Sequence, residues 1–410
     1  MAKNESKETC ILVVDDSEEV TETLEAVLGK DYRLVVTNRS MEAVALFQKE
    51  SPDLVLLDVE MPDMDGFELC RILKTMSKDN FVPILFVTGK YDVHSIKEGL
   101  QSGAQDYLSK PFEPEELEAR IRSSLRTKNL YDKLQEAYAI IDKERDVIAK
   151  IQQGLLCDKP PEIPGFKFFS DYQPSSKAGG DYYDFVQIDE DHLGILVSDV
   201  SGHGCPAAVI MAMMRVLLRS VFSEVRSPKE ALEKINHILC ENIKSGHFIT
   251  AFYGVIHLPT RRMKFASAGH NPPLLIDYDK NTVHQLTTSK GFPLIIFPQN
   301  DLEEKEIYLP LNSKLVLYTD GLTEAQNPQG EMFGMERFSD YLLDLGKSLD
   351  AVQLGIRIKE MAQEFINSTS FSADESMTDL NMLVQGFVHD TNFTDDYTLV
   401  ILEVLPESAH

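Results

Sequence analysis

The chain has 410 residues, too many for one hydrophobic core and suited to two or three domains. With 43% hydrophobic and 26% charged residues the composition is globular, and no run approaches the roughly 20 apolar residues of a membrane span. A formal net charge of −26 repels a phosphate backbone and argues against nucleic acid as the main partner. Five cysteines without a CxxC pair argue against a disulfide framework or structural zinc, and with the polar opening MAKNESKETC they predict a cytoplasmic protein without a signal peptide.

In chain order, the first 120 or so residues alternate strand-like runs with helical patterns. The runs are CILVV (10–14), YRLVVT (32–37), DLVLLD (53–58), PILFVT (83–88) and AQDYLSK (104–110). Between them VTETLEAVLG, SMEAVALFQKE, GFELCRILKTM and HSIKEGLQSG carry apolar residues three and four apart. This alternation predicts a parallel sheet covered on both faces. A further helix starts near Glu115, after Pro114, and continues with Leu130, Leu134, Ala137, Ile141, Ile148, Ile151 and Leu155 in a four–three rhythm. That spacing predicts a coiled-coil seam; the plainer alternative is an amphipathic helix packed on its own chain. The Pro-rich CDKPPEIPG (157–165) ends it.

Beyond this point strands come in series: FKFFSDY, LGILVSDV, FITAFYGVIHL, MKFASAG, PPLLIDY, EIYLP, KLVLYTD and YTLVILEV. Helical blocks lie at about 205–244 and 335–367. Clustered strands and clustered helices predict an α+β domain, a β-sandwich flanked by helices. The stretch NSTSFSADESMT (367–378) reads as a surface loop.

Ligands of an open parallel sheet gather at the carboxyl ends of its strands, which here carry Asp15, Asp16, Asp58, Thr88 and Lys110. Converging carboxylates raise one another's pKa, and an oxygen-only set suits Mg²⁺. A carboxylate beside Mg²⁺, with a lysine and a hydroxyl at hand for anionic oxygens, can accept a phosphoryl group. Singly, each Asp would be an ordinary turn or cap residue. Together VVDDS, LLDVEMPDMDGFE, FVTGK and DYLSKPF resemble the receiver domain of bacterial response regulators over residues 8–125, a flavodoxin-like α/β fold. The resemblance implies that Asp58 is the phosphoacceptor and that Asp16, Asp15 and the carbonyl of Glu60 serve Mg²⁺ together with Asp58. It further implies that Thr88 and Lys110 contact the phosphoryl oxygens, that the Lys110–Pro111 bond is cis, and that Tyr107 is the aromatic switch moving with Thr88. A sensor histidine kinase or another phosphodonor is the implied partner.

In the second half, aspartates stand at strand edges far apart in sequence: Asp181 after Gly179–Gly180, Asp199 before VSGHG, Asp320 before GLTEA, and Asp395–Asp396 before the last strand. A turn is the ordinary reading of each alone; four such places on one sandwich suggest a shared metal cluster. Carboxylates without Cys or His favour Mg²⁺ or Mn²⁺, and two such ions roughly 4 Å apart can ionise a water for attack on phosphorus. Phosphate-monoester hydrolysis needs enhancements of up to about 10²¹. General acid–base help supplies only about 10² to 10⁴, so metal activation must carry much of the load. The tract AGGDYYDF shares three letters with the GGDEF motif of diguanylate cyclases, but Tyr182 and Tyr183 depart from it.

GGDYYDF, SDVSGHG, SAGHNPPLL, LYTDGLTEA and TDDYTLVIL occur in the order of the metal-dependent, protein phosphatase 2C-like family in its SpoIIE-type branch, which the chain resembles over about residues 150–405. The resemblance implies a two-metal centre of Mn²⁺ or Mg²⁺ held by Asp181 and Asp199, with the carbonyl of Val200, Asp320 and Asp395 completing the set and Asp396 left open as a direct ligand. His203 and His270, each after a glycine, read as backbone-bonding loop residues. The whole reads as a response regulator: a receiver (8–125), a helical coiled-coil linker that makes a homodimer (126–157), and a serine/threonine phosphatase (158–405). The implied substrate is a phosphorylated anti-sigma-factor antagonist in a partner-switching circuit. The alternative is a non-catalytic adaptor that binds regulatory proteins.

Overall fold

Val13, Leu56 and Leu85 face one side of the first sheet, and Leu12, Val14, Leu57 and Phe86 face the other; all are buried, as β-strands covered on both faces require. In this computed structural model, which describes residues 9–77, 80–89, 101–156, 159–222, 225–368 and 393–406, the chain divides into units Met1–Asp142 and Lys143–His410.

The first unit holds β1 (Cys10–Val14), β2 (Arg33–Thr37), β3 (Leu54–Leu57), β4 (Ile84–Thr88) and β5 (Asp106–Ser109). All pair in parallel in the order β2-β1-β3-β4-β5. Helices α1 (Glu18–Leu28), α2 (Ser40–Glu50) and α3 (Gly66–Met76) cover it. Asp65 caps α3, its carboxylate accepting from the Phe67 N–H at 2.9 Å. Most of the predicted helix HSIKEGLQSG lies outside the described residues, as do Cys157 and most of NSTSFSADESMT.

Helix α4 runs without a break from Pro114 to Gln153. No Gly or Pro interrupts it, so no element ends at the predicted 125/126 boundary, and Leu117 and Ile121 near its start are buried in the first unit's core. The predicted seam is open: Leu130, Leu134, Ile141 and Ile151 are exposed, and Leu155 lies past the end. The structure thus shows one long helix whose predicted seam is uncovered within the chain.

The second unit stacks two antiparallel sheets. One has the order β13 (Glu304–Tyr308), β10 (Arg262–Ala268), β9 (Ile249–His257), β8 (His192–Val200), β7 (Tyr182–Gln187). The other has the order β12 (Thr282–Gln285), β11 (Leu274–Asp277), β14 (Ser313–Tyr318), β15 (Tyr397–Val404), β6 (Phe166–Gln173). Strands β7 and β12 have no counterpart among the predicted runs. The two-residue alternation sorts the side chains. Leu193, Ile195 and Val197 of β8 meet Leu315, Leu317, Val400 and Leu402 between the sheets. Leu196 and Val200 instead face α5 (Cys205–Phe222) and α6 (Pro228–Asn242), while Val316, Leu399 and Ile401 face α8 (Met335–Gly346) and α9 (Ala351–Asn367). The four-residue α7 (Asp320–Thr323) follows β14. Met211, Met214 and Leu218 are fully buried, so the Met-rich face of α5 is core.

Candidate functional site

Each unit gathers aspartates at one edge of a sheet. In the first, β1 and β3 end beside each other, the Asp58 N–H donating to the Val14 carbonyl at 2.8 Å. One carboxylate oxygen from each of Asp15, Asp16 and Asp58 lies within 4.8 Å of the other two, a spacing that fits a hard divalent cation. Asp15 and Asp58 are buried and Asp16 is exposed. Lys110 Nζ stands 2.6 Å from Asp15 Oδ2 and 3.1 Å from Asp58 Oδ2. Burial raises the Asp58 pKa, Lys110 opposes that shift, and Asp15 adds to it. Thr88 ends β4, buried, and its carbonyl accepts the Lys110 N–H at 2.8 Å. Tyr107, half-buried on β5, pairs with Phe86 in register, and Glu60 is exposed beyond β3. The Lys110–Pro111 bond is cis, as the resemblance implies.

In the second unit the pairing Tyr182↔Ser198 sets Asp181 opposite Asp199 at the end of the β7–β8 ladder. On the other sheet the pairing Tyr318↔Leu399 brings Asp320, just past the end of β14, beside Asp395 and Asp396, whose carbonyl oxygens crowd the place a Cβ on Gly321 would take. Both ladders run out at the same edge of the sandwich, where hydroxyls join them: Thr319 Oγ1 and Thr398 Oγ1 donate to Asp181 Oδ2 at 2.7 and 2.6 Å. The Val200 carbonyl lies 2.6 Å from where a Cβ on Gly180 would sit, so this approach requires glycine.

The electrostatics follow from proximity. Burial pushes the Asp199 carboxyl up to about 7, with Asp320, Asp395 and Asp396 adding to it and a side-chain hydrogen bond with Asp181 easing it. Burial and then Asp199 hold Asp181 well above the usual carboxylate range. Burial and Asp395 raise Asp320. The set consists of oxygen donors only, the chemistry that suits divalent cations of the Mg²⁺ or Mn²⁺ kind, although among the described residues only Asp15, Asp16 and Asp58 bring three carboxylate oxygens within 4.8 Å of one another.

Asp396 does different work. Its Oδ1 accepts from Ser175 N and Oγ at 2.8 and 2.9 Å, and its Oδ2 from the Gly180 N–H at 2.5 Å. Both oxygens are committed to the neighbouring loop, whereas Asp395 is exposed at the edge, its Oδ1 accepting from Asp396 N at 2.7 Å. His203 is exposed. The ring of His270 bonds both a side chain and the backbone: Nδ1 is 2.9 Å from the Oγ1 of Thr250, which pairs with Asp199 across β8 and β9, and the Tyr318 backbone adds a hydrogen bond. Burial pushes His270 down to about 4, leaving it neutral at pH 7.

Thr319 and Thr398 were not singled out by sequence. Thr319 lies inside LYTDG and Thr398 inside TDDYT, but a strand threonine gives no sign that it bonds an aspartate 138 or 217 residues away.

Comparison with known proteins matches two families: the response regulator receiver domain over residues 11–122 and stage II sporulation protein E (SpoIIE) over residues 189–405. The phosphoserine phosphatase RsbU of Bacillus subtilis (strain 168) is 31% identical over 190 residues, 46% of this chain and 56% of that protein. The DNA-binding response regulator MtrA of Mycolicibacterium paratuberculosis is 42% identical over 140 residues, 34% of this chain and 60% of that protein. The chain thus spans a little over half the length of these curated relatives. Among solved structures the SiaA-PP2C domain of Pseudomonas aeruginosa superposes with a TM-score of 0.53 at 20% identity, covering 65% of this chain and 98% of that one, which shows the fold. The chain therefore belongs to the SpoIIE family and carries a response regulator receiver domain ahead of its PP2C-like domain.

Proposed function

We propose that this chain is a metal-dependent protein serine/threonine phosphatase whose activity is set by phosphorylation of Asp58. The observation that carries the first part is the single edge that gathers Asp181, Asp199, Asp320 and Asp395, where burial and neighbouring carboxylates raise the pKa of Asp181, Asp199 and Asp320. Asp181, Asp199, Asp320, Asp395 and the Val200 carbonyl would hold two Mn²⁺ or Mg²⁺ ions. Such ions supply charge stabilisation at phosphorus and an ionised water for in-line attack. The chain's own part is positioning: Thr319 and Thr398 fix the Asp181 carboxylate, and Asp396 fixes the loop before it.

In the receiver, Asp15, Asp16, Asp58 and the Glu60 carbonyl would hold Mg²⁺. Lys110 lies close enough to Asp58 to meet the oxygens of an arriving phosphoryl group, with Thr88 at the neighbouring strand end and Tyr107 as the side chain that follows it. A sensor histidine kinase or small phosphodonor would load Asp58. Coupling of about 1–3 kcal/mol between two sites suffices for roughly 5- to 150-fold control. The exposed apolar residues of α4, Leu130, Leu134, Ile141 and Ile151, support a homodimer through this helix. The substrate we infer is a phosphorylated anti-sigma-factor antagonist, by analogy with the SpoIIE family.

The test is phosphate release by the full chain from phosphoserine proteins of the antagonist type, with Mn²⁺ or with EDTA, in parallel with Asp199→Asn. Release that needs Mn²⁺ and Asp199 supports the enzyme. None with any metal or phosphodonor leaves an adaptor that only binds regulatory proteins.

A further inference from the structure

Gln152 stands in the last turn of α4 and is 4% exposed. A helical glutamine is ordinarily solvated, and a buried carboxamide is costly unless its donor and acceptor are met. Here one residue meets both: Nε2 donates to the Gly179 carbonyl at 2.7 Å, and Oε1 accepts the Gly179 N–H at 3.1 Å. Beside it, Gly180 N–H is held by Asp396 Oδ2 at 2.5 Å. The fit around this glycine pair leaves no slack, since a Cβ on Gly179 would lie 2.3 Å from Asp396 Oδ2 and 2.4 Å from the Tyr172 hydroxyl oxygen. Asp181 is the next residue. The turn carrying Gln152 is itself anchored: its carbonyl accepts from Leu155 and Leu156 N–H, and Leu156 packs against the core under α5 and α6.

We propose that Gln152 is a positioning residue for Asp181, its carboxamide clamping the Gly179–Gly180 backbone from which Asp181 reaches the metal site. Docking of the last turn of α4 is then a condition for tight metal binding. Because α4 is continuous back to Pro114, rotation or fraying at its carboxyl end would release Gly179 and loosen the site. The inference rests on the metal-dependent reading above for what the site does, and on the hydrogen bonds alone for the clamp.

The experiment uses the full chain with Asp15→Ala and Asp16→Ala, so that Mn²⁺ binding reports the second unit, measured from the electron paramagnetic resonance signal of free Mn²⁺. Gln152→Met keeps the bulk and removes both bonds. We expect Mn²⁺ affinity about 10- to 100-fold weaker, the range for removing a partner that orients a ligand, with hydrolysis of p-nitrophenyl phosphate recovering at saturating Mn²⁺. Should Gln152→Met not fold, Gln152→Asn, whose carboxamide is one methylene short of spanning both Gly179 groups, carries the same expectation. A folded variant that binds Mn²⁺ like its parent overturns the clamp, as does a parent that binds none. Binding weakened by the substitution in a protein that hydrolyses no phosphoserine supports the clamp and overturns the phosphatase.

Discussion

In the receiver, Lys110 stands within 3.1 Å of both Asp15 and Asp58, whereas among the described residues no lysine or arginine pairs with Asp181, Asp199, Asp320, Asp395 or Asp396. The first cluster carries its own cation, which partly offsets the repulsion and leaves three carboxylate oxygens spaced for one divalent ion. The second is tied together by neutral donors, the Thr319 and Thr398 hydroxyls and the Gly180 N–H. Burial and mutual repulsion are therefore left standing, and Asp199 rises to about 7. The difference teaches that donors can aim a carboxylate without neutralising it. Added positive charge is what would let Asp181, Asp199 and Asp320 ionise together.

The sharpest way to break this contrast is to neutralise one acid on each side. Asp199→Asn is expected to lower Mn²⁺-dependent phosphoserine hydrolysis by at least about 10³-fold, since groups that act as a unit fail together. Stopped assays on the purified full chain read this directly, and a loss below tenfold would place Asp199 outside the centre. On the receiver side, Asp58→Ala is expected to leave basal hydrolysis intact while removing the whole response to a phosphodonor, about 5- to 150-fold for a coupled pair of sites. Rates of wild type and variant, with and without acetyl phosphate, test it; four equal rates would remove the control.

Much of this was legible in the sequence because each receiver acid follows an apolar run at a strand end, and because GGD, SDVSG, TDG and TDD place acids beside tight turns. The clamping residues were not. Thr398 lies in β15 with the spacing of any β-branched strand residue, and Gln152 sits on a polar helix among many solvated neighbours. Their partners are distant in sequence, Gly179 for Gln152 and Asp181 for Thr398, so no local pattern carries them. Strand β7 was missed because Asp184 interrupts YYDFVQ. The structure buries that carboxylate against Arg219, 2.9 Å away, and the Tyr182 hydroxyl at 2.5 Å. The apolar rhythm of α4 was read correctly as helix, but a rhythm does not say what covers it.

Two smaller effects sharpen the comparison. Thr398→Val removes one of the two hydroxyls that aim Asp181, and Mn²⁺ affinity is expected to fall by about 10- to 100-fold, measurable by calorimetry. The other effect is on pH. In metal-free protein the Asp199 pKa is raised from 3.8 to about 7, so the folded state holds a proton that the unfolded chain has already released across that window. Stability then falls as pH rises from about 4 to about 7. Thermal melts in EDTA are expected to show this fall, and saturating Mn²⁺ to cancel most of it; a metal-free protein that gains stability over that range contradicts the assignment.

The most direct measurement is anomalous diffraction at the manganese edge from crystals of the full chain soaked in Mn²⁺. The account predicts two strong peaks in the second unit, between Asp181, Asp199, Asp320 and Asp395, besides one at Asp15, Asp16 and Asp58. A map with density at the receiver cluster and none among the second set would contradict it.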